Sequence, residues 1–434
     1  MSKSFVPDPS RRPVLVAGLR TPFTRAGTDL RRLSAADLGV HVVRELLARA
    51  DVRPDEVDEL IFGCVGQSAK EANTSRVIAL RAGLPEAMPA YTVHRNCASG
   101  MQAIEEGARR IVAGEGSVYV VGGTESMSGY PLLCSDAYTA FLGRLQKAKG
   151  LAARLRTMLA FRPGFLAPRV SLLEGLTDPT CGMIMGLTAE RLADDWAITR
   201  REQDLFALAS HQKAVEAVQR GETDGELAPV YDRGDATVAD NGPREGQSLE
   251  ALARLRPYFD RREGTVTVGN ACPITDGAVA LLLMSEDAAT ARGLAPLARL
   301  RSSSAVGLDP SRMGLGPALA APKAIHDAGL QAGDVDLWEI NEAFAAQVIA
   351  CLRALDSARF GRERLGLPGA FGAPAPERLN VGGGAVALGH PVGATGARLV
   401  LTLCRRLRAQ GGGAGVATLC VGGGQGFAQV WEAA

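Results

Sequence analysis

The sequence has few lysines and almost no net charge. Six of its 48 basic residues are lysine, and 47 acidic residues leave a formal net charge of +1 over 434 residues. Without a global basic field, nucleic acid is not an expected partner. The composition, 46% hydrophobic and 22% charged, is that of a globular protein long enough for two or three domains and a large buried core.

The chain also lacks paired cysteines, a secretory leader and a long apolar run. No CxxC pair occurs among its eight cysteines, which stand at positions 64, 97, 134, 181, 272, 351, 404 and 420. That spacing favours neither a zinc site nor a thioredoxin-like motif. Residues 1–18 have no apolar signal-peptide core, and no segment approaches the ~18 apolar residues of a membrane span. We therefore expect reduced thiols, no metal and a cytoplasmic protein.

Two stretches of the sequence resemble each other. Residues 99–126 read SGMQAIEEGARRIVAGEGSVYVVGGTES, and residues 395–426 read TGARLVLTLCRRLRAQGGGAGVATLCVGGGQG. Each begins with a small residue and Gly, continues with helical periodicity and ends in a short apolar strand followed by VGG. The apolar strands lack polar alternation, which is typical of buried central strands in an α/β sheet.

A weaker similarity between residues 50–65 and 328–344 supports an internal duplication. The sequence therefore predicts two βαβ-rich halves. Between them, a basic and apolar stretch, a helix from Thr188 to about Gln219 and a polar loop favour an insertion. We predict an N-terminal half over residues 1–131 completed by 263–288, an inserted loop domain over 132–262, and a C-terminal half over 289–434.

Cys97 stands in the segment HRNCASGM (94–101), among small and polar residues. A structural cysteine more often lies among Val, Leu and Ile. The small residues that follow Cys97 predict a tight turn into a helix, which places the sulfur at a helix N-terminus. An anion is favoured there by about 0.3–1 kcal/mol, so a thiolate is more available. Cys97 is a candidate nucleophile, although a structural thiol remains the alternative.

His390 follows a glycine-rich turn and immediately precedes Pro391 in NVGGGAVALGHPVGATGARLV (380–400). Its position before a predicted helix makes it a candidate base, whereas a lone histidine is more often a satisfied core or surface residue. Cys420 ends a buried strand in CVGGGQG (420–426), where Gly422 and Gly423 offer backbone N–H groups to an oxyanion. Two thiols and an imidazole would supply a nucleophile, its base and a proton donor.

Asn341 and Glu342 follow a predicted strand in WEINEAFAAQ (338–347). The pair can simply cap the next helix; otherwise Asn341 can orient a water or a carbonyl group.

These four motifs, in this order, resemble those of the thiolase family. The matching blocks are HRNCASGMQAI, NEAFAAQ, GGGAVALGHPVGATGAR and CVGGGQG, and residues 269–280 and 313–325 also resemble family segments. The resemblance covers nearly the whole chain. It implies an α/β thiolase fold, duplicated with five layers in the order αβαβα, and an inserted loop domain that binds substrate and CoA.

The resemblance also implies roles for the candidate residues. Cys97 would be acylated by the substrate, His390 would activate Cys97, and Cys420 would move a proton at the α-carbon or on incoming CoA. His390, with a water held by Asn341, would form one oxyanion hole, and the N–H groups of Cys97 and Gly422 the other. CoA would be a substrate, and neither a metal nor another cofactor is expected.

We assign substrate binding to four further positions: Met185, Cys272, Ala343 and Phe344. Ile184 stands before Met185, where many short-chain members have His, and Cys272 stands where many members have Ser. Gly382 replaces an Asn that is common in the third block, which is expected to loosen that turn.

The interpretation is a 3-ketoacyl-CoA thiolase of fatty-acid β-oxidation. A short-chain acetoacetyl-CoA thiolase working in condensation, a ketosynthase and an inactive lipid-binding or scaffold member are the alternatives.

Residues 147–168 resemble the loop of trifunctional-protein β-subunits, which favours contact with a hydratase/dehydrogenase α-subunit, anionic lipid or CoA phosphates. A solvated basic face over a small hydrophobic cluster is the simpler interpretation. A homodimer or homotetramer is also expected.

Overall fold

A computed structural model describes residues 9–434. Residues 1–8, which begin both the predicted N-terminal half and the segment assessed for a signal peptide, lie outside the described residues. The first part of the chain alternates strands and helices: β1 (Pro13–Arg20), β2 (Thr24–Arg25), α1 (Ala35–Arg49), β3 (Glu59–Gly63), α2 (Thr74–Ala82), β4 (Ala90–Val93), α3 (Ser99–Ala113) and β5 (Val118–Ser126). The helix predicted after Cys97 is α3.

The middle of the chain is more helical and carries two small two-stranded sheets, β6 with β7 and β8 with β9. Its elements are β6 (Leu132–Leu133), α4 (Asp136–Lys147), α5 (Leu151–Leu159), β7 (Arg169–Val170), α6 (Ser171–Gly175), α7 (Met185–Asp195), α8 (Arg200–Gln219), β8 (Val230–Asp232), β9 (Asp235–Thr237) and α9 (Leu249–Ala253). The prediction of one helix from Thr188 to about Gln219 was wrong. Ala197 takes a left-handed φ of 50°, and Thr199 starts α8 with a capping box to Glu202.

The last part of the chain repeats the alternation of the first. Its elements are β10 (Thr275–Ser285), α10 (Glu286–Ala291), β11 (Ala298–Gly307), α11 (Gly316–Asp327), β12 (Leu337–Ile340), α12 (Ala345–Leu355), α13 (Ala358–Phe360), α14 (Ala385–Leu388), α15 (Val392–Ala409), β13 (Ala414–Val421) and β14 (Gln425–Ala433). Among residues 9–434, no helix is both long and apolar enough to cross a membrane.

The main strands form one sheet in the order β12-β13-β14-β11-β1-β10-β5-β3-β4. A short antiparallel contact between β1 and β11 joins its two halves. In each half a short strand pairs in parallel with the strand that ends in VGG, β3 with β5 and β12 with β13. The two pairs of similar segments in the sequence therefore occupy equivalent places, and the predicted duplication is confirmed.

The layers follow from the alternation of side chains along the strands. In β10, Leu281 and Leu283 enter the hydrophobic cluster that holds α3 and α15. The intervening Leu282 packs in the cluster of α1 instead. A third cluster packs α11 and α12 against the opposite face of β13. Because strand residues alternate between faces, α3 and α15 lie between two sheet halves, each covered outside by helices, in the order αβαβα.

Gly123 marks a close approach between β5 and the start of α15. A Cβ at this position would overlap the carbonyl oxygen of Gly393. We expect Gly123→Ala to lower the free energy of unfolding by about 1–3 kcal/mol, because neither backbone can yield. The measurement is urea unfolding. Gly143→Ala is the control, since Gly143 in α4 faces open space and Ala favours helix; equal midpoints for the two variants would contradict the prediction.

Candidate active site

One cavity of about 540 Å³ brings together most of the predicted site residues. It lies where the two halves and the middle segment meet. Eight of the nine candidates line it: Cys97, Met185, Cys272, Ala343, Phe344, His390, Cys420 and Gly422. Asn341 is not part of the lining. It is buried behind the wall, at the end of β12, where its backbone N–H donates to the carbonyl of Thr418 at 2.9 Å.

A tight turn before α3 presents Cys97 to the cavity. Asn96 adopts a left-handed φ of 44°, a conformation that Asn tolerates better than most residues. The Ser99 hydroxyl closes the turn by accepting from the Arg95 N–H at 2.9 Å and donating to the Asn96 carbonyl at 2.6 Å. The helix N-terminus predicted for this sulfur is therefore present.

Burial raises the pKa of the Cys97 thiol, although its own N–H and that of Gly422 donate to the sulfur and oppose the rise. The expectation of a more available thiolate at this helix terminus was therefore wrong for the resting protein, because loss of solvent outweighs the backbone dipoles. The same two N–H groups point at a site where an oxyanion can form. The Asn96 side-chain amide holds Gly422 by donating to its carbonyl at 2.8 Å.

His390 lines the same cavity with one ring nitrogen engaged. Its Nδ1 lies 2.6 Å from the Thr395 hydroxyl, and that hydroxyl donates its single hydrogen to the Pro391 carbonyl at 2.9 Å. This arrangement assigns the ring proton to Nδ1. Nε2 makes no hydrogen bond with the described residues, so it is free to accept a proton.

The pKa of His390 is lowered to about 4 by burial and by the nearby positive charge of Arg398. A base with a lowered pKa stays in its neutral form at neutral pH. We expect kcat/KM to be flat from about pH 5 upward until substrate or thiol ionisation intervenes, and to fall below about pH 5 as the imidazolium forms. A pH–rate profile measures this. An inflection near the ordinary histidine pKa of about 6.5 would contradict it.

Thr395 positions the imidazole of His390 without touching the cavity. We expect Thr395→Val to lower kcat by about 10–100-fold, because the Nδ1–H loses its acceptor in a buried site and the ring loses its orientation. Thr395→Ser restores the hydroxyl and should recover most of kcat. Steady-state kinetics of the two variants tests this; equal losses for Val and Ser would show that the side chain acts by packing alone.

Cys420 and Cys272 add two more thiols to the cavity that Cys97 lines. Burial raises the pKa of Cys272 to about 12, and Cys97 contributes to the rise. Burial raises the pKa of Cys420 well above its ordinary value, again with Cys97 as a contributor. Both groups are therefore protonated at neutral pH, and Cys420 can act as a proton donor.

The side-chain oxygen and nitrogen of Asn341 make no hydrogen bond with any described residue, although both atoms are buried. Such atoms usually bind water or a ligand. Capping of α12 does not explain Asn341, because α12 begins after Phe344 and has no side-chain cap.

Glu342, beside Asn341, holds the loop that carries His390. Its buried carboxylate accepts from the Ser210 hydroxyl at 2.6 Å, the Asn380 amide at 2.8 Å and the Val386 N–H at 3.2 Å. Burial raises its pKa. Sequence reasoning offered Glu342 only a role in capping the next helix, because its actual partners lie 38–132 residues away along the chain.

Glu125 is a second buried carboxylate that the sequence did not single out. It accepts from the N–H groups of Val65 at 3.1 Å, Gly66 at 2.7 Å and Gly393 at 2.8 Å, and from the Tyr130 hydroxyl at 3.3 Å. These bonds tie the end of β3 to the N-terminus of α15, so Glu125 sets the spacing between the two halves beside the cavity.

Gly382 was expected to loosen the turn in which it lies, but the structure shows a different effect. A Cβ there would overlap the guanidinium of Arg406, which pairs with buried Glu339 at 2.8 Å. Arg406 occupies the space that a side chain at position 382 would need. The turn is therefore packed, and the ion pair anchors α15 to β12.

The whole chain can be compared with known proteins. The family models described as "Thiolase, N-terminal domain" and "Thiolase, C-terminal domain" match residues 13–287 and 294–433. The chain belongs to the thiolase family. Its curated relatives include the 3-ketoacyl-CoA thiolases of Yersinia enterocolitica and Yersinia pestis, each 40% identical over 424 residues, or 97% of either chain.

Two solved thiolase structures resemble the chain equally well in shape. The Bacillus anthracis acetyl-CoA acetyltransferase has a TM-score of 0.85 and 38% identity, and covers 98% of this chain and 99% of its own. Human mitochondrial 3-ketoacyl-CoA thiolase, solved in complex with CoA, has a TM-score of 0.85, 36% identity and the same coverage. The predicted thiolase fold is confirmed.

Proposed function

We infer that this thiolase is an acyltransferase that cleaves a 3-ketoacyl-CoA with CoA, releasing acetyl-CoA and an acyl-CoA shortened by two carbons. The observation that carries the inference is the meeting of Cys97, His390 and Cys420 in one cavity. A nucleophile, a neutral base and a protonated acid are the groups that thiolytic cleavage needs.

In the first half-reaction, His390 Nε2 takes the Cys97 proton as the sulfur attacks the keto carbon. The N–H groups of Cys97 and Gly422 stabilise the resulting oxyanion. Collapse of this intermediate breaks the bond between C2 and C3 and leaves an acyl group on Cys97. The acetyl-CoA enolate takes a proton from Cys420, and His390 with a water on Asn341 holds its oxygen.

In the second half-reaction, the Cys420 thiolate removes the proton of incoming CoA. The CoA sulfur attacks the acyl group, and Cys97 leaves with the proton held by His390. The proton held by His390 thus returns to Cys97, while Cys420 gives its proton to acetyl-CoA and regains one from CoA, so both groups end in their starting protonation states. The chemistry requires no metal or redox cofactor, and CoA enters as a substrate; the expected absence of a cofactor stays a prediction.

Met185, Cys272, Ala343 and Phe344 are proposed to contact the substrate, because all four line the cavity beside the reactive groups. Phe344 is also packed edge-on against Phe259, with ring centroids 6.0 Å apart, which gives that wall a fixed shape. Ile184, unlike a histidine, offers no polar contact there.

A short-chain acetoacetyl-CoA thiolase is the second candidate, favoured by the equal structural similarity to an acetyl-CoA acetyltransferase. Thiolysis of 3-ketoacyl-CoA substrates with four to sixteen acyl carbons separates the two. A rate that rises with chain length supports the degradative thiolase of fatty-acid β-oxidation, and reaction of the four-carbon substrate alone overturns it.

A homodimer or homotetramer is proposed on the basis of strand β4. Ala90–Val93 stands at one end of the strand order and is half-buried, so a second copy can pair with its free edge. Sedimentation at micromolar concentration tests this, and a monomer alone would contradict it. A cytoplasmic location remains part of the proposal.

The helices α4 and α5 are proposed to contact a hydratase/dehydrogenase α-subunit. They expose apolar side chains, Leu151 and Leu159 being 76% and 87% exposed, beside several arginines and lysines. Beneath this surface, Phe141, Phe161 and Phe165 pack with ring centroids 5.5–5.9 Å apart, as the hydrophobic-cluster interpretation expects. Co-sedimentation with an α-subunit, and separately with anionic vesicles, distinguishes protein from lipid contact.

A further inference from the structure

The cavity walls away from the reactive groups are mostly apolar. Val65, Met127 and Tyr130 come from the first half of the chain, and Leu172 and Leu176 come from the middle segment. The same cavity must also receive the thioester and the end of the CoA arm. A long hydrocarbon chain attached at Cys97 therefore has to lie along these walls and leave the cavity between them.

Tyr130 is a rigid part of this wall. Its ring rests directly on the backbone of Gly66, where a Cβ would overlap it. Its hydroxyl donates to Glu125 at 3.3 Å, and Glu125 is itself held by the N–H groups of Val65 and Gly66. The ring cannot turn away from the cavity without breaking this set of contacts.

Leu172 and Tyr130 line the same cavity and flank the small two-stranded sheet of β6 and β7. The Ser171 hydroxyl donates to the Pro131 carbonyl at 2.5 Å, and Leu132 pairs with Val170 in the next rung. The carboxylate of Glu174, which also lines the cavity, is turned to Arg169 at 2.6 Å.

The small sheet of β6 and β7 therefore joins the cavity to an apolar surface outside. Leu132 is 67% exposed and Val170 is 38% exposed. Apolar side chains thus continue from the cavity wall to the strands β6 and β7, and burial of the methylene groups of a chain along them is favourable.

We propose that the acyl chain of the substrate leaves the cavity between Tyr130 and Leu172 and continues along β6 and β7, so that Leu172 determines chain-length specificity. The inference rests on the proposed function and names its substrate class, 3-ketoacyl-CoA esters whose chains outgrow the cavity. Tyr130 forms the fixed side of this exit, and Leu172 forms the side that a substitution can narrow.

The first experiment compares Leu172→Trp with Leu173→Trp. Leu173 is the neighbouring residue on α6, 48% exposed and outside the cavity lining. We expect Leu172→Trp to lower the ratio of kcat/KM for the sixteen-carbon substrate to that for the four-carbon substrate at least tenfold. Leu173→Trp should leave the ratio within about twofold of wild type. An unchanged ratio in Leu172→Trp would overturn the inference.

A second experiment locates the chain without turnover. A sixteen-carbon acyl-CoA with a diazirine at its terminal carbon is photolysed on the Cys97→Ala protein, and labelled peptides are identified by mass spectrometry. Labelling of 130–133 and 169–172 supports the proposed path, and labelling confined to other segments overturns it. Failure of the proposed function would give a different result from failure of the proposed path, because the wild-type protein would then cleave none of the 3-ketoacyl-CoA substrates.

Discussion

The Cys97→Ser variant is expected to lose thiolysis by at least about 10⁴-fold in kcat. A hydroxyl is a far weaker nucleophile than a thiol, and the neutral imidazole of His390, with a pKa of about 4, cannot take its proton to a useful extent. The N–H groups that donate to the Cys97 sulfur remain in place, so substrate binding should change much less than kcat. Progress curves with a 3-ketoacyl-CoA and CoA measure the loss.

The control for Cys97→Ser is Cys134→Ser, because Cys134 is an exposed thiol outside the cavity lining. It should keep wild-type kcat. Intact mass after incubation with an acyl-CoA adds a second readout: wild type and Cys134→Ser gain the acyl mass, and Cys97→Ser does not. Acylation of the Cys97→Ser protein at wild-type rate would place the nucleophile elsewhere.

The second large effect is expected at Cys420. In Cys420→Ser, thiolysis should fall by about 10²–10⁴-fold, since a hydroxyl is a weaker acid than the thiol that protonates the enolate. The specific readout is exchange of the α-hydrogens of acetyl-CoA with D₂O, which requires removal of an α-proton and return of a deuteron to the same carbon. We expect exchange to fall by a factor similar to that for thiolysis.

Cys351→Ser is the matched control for Cys420. Both thiols are buried in the same hydrophobic cluster, but the Cys351 thiol donates to the carbonyl of Gly314 at 3.1 Å and does not line the cavity. Substitution of Cys351 should cost stability without stopping exchange. Wild-type exchange in Cys420→Ser would assign the proton transfer to another group.

The sequence by itself determined the framework and indicated the candidate site residues. Helical periodicity predicted the buried face of α3, including Met101 and Ile104, because local burial imposes a 3.6-residue repeat on apolar positions. Strands without polar alternation predicted the central strands β5 and β13, which are buried on both faces. The distinctive surroundings of Cys97 and His390 also stood out, since both occupy turns next to a helix start.

Tertiary structure alone decided how these residues behave. The pKa of Cys97 depends on its burial and on an N–H group of Gly422, more than 300 residues away along the chain, and no local pattern encodes either. Most hydrogen-bond partners of Glu125 and Glu342 also lie far away along the chain, so nothing in the sequence indicated that these two carboxylates are buried and bound. Asn341 lies behind the cavity wall because β12 pairs with β13. Local periodicity reports which face of an element is buried, whereas the distances and solvent access that govern acid–base chemistry are set by contacts between elements.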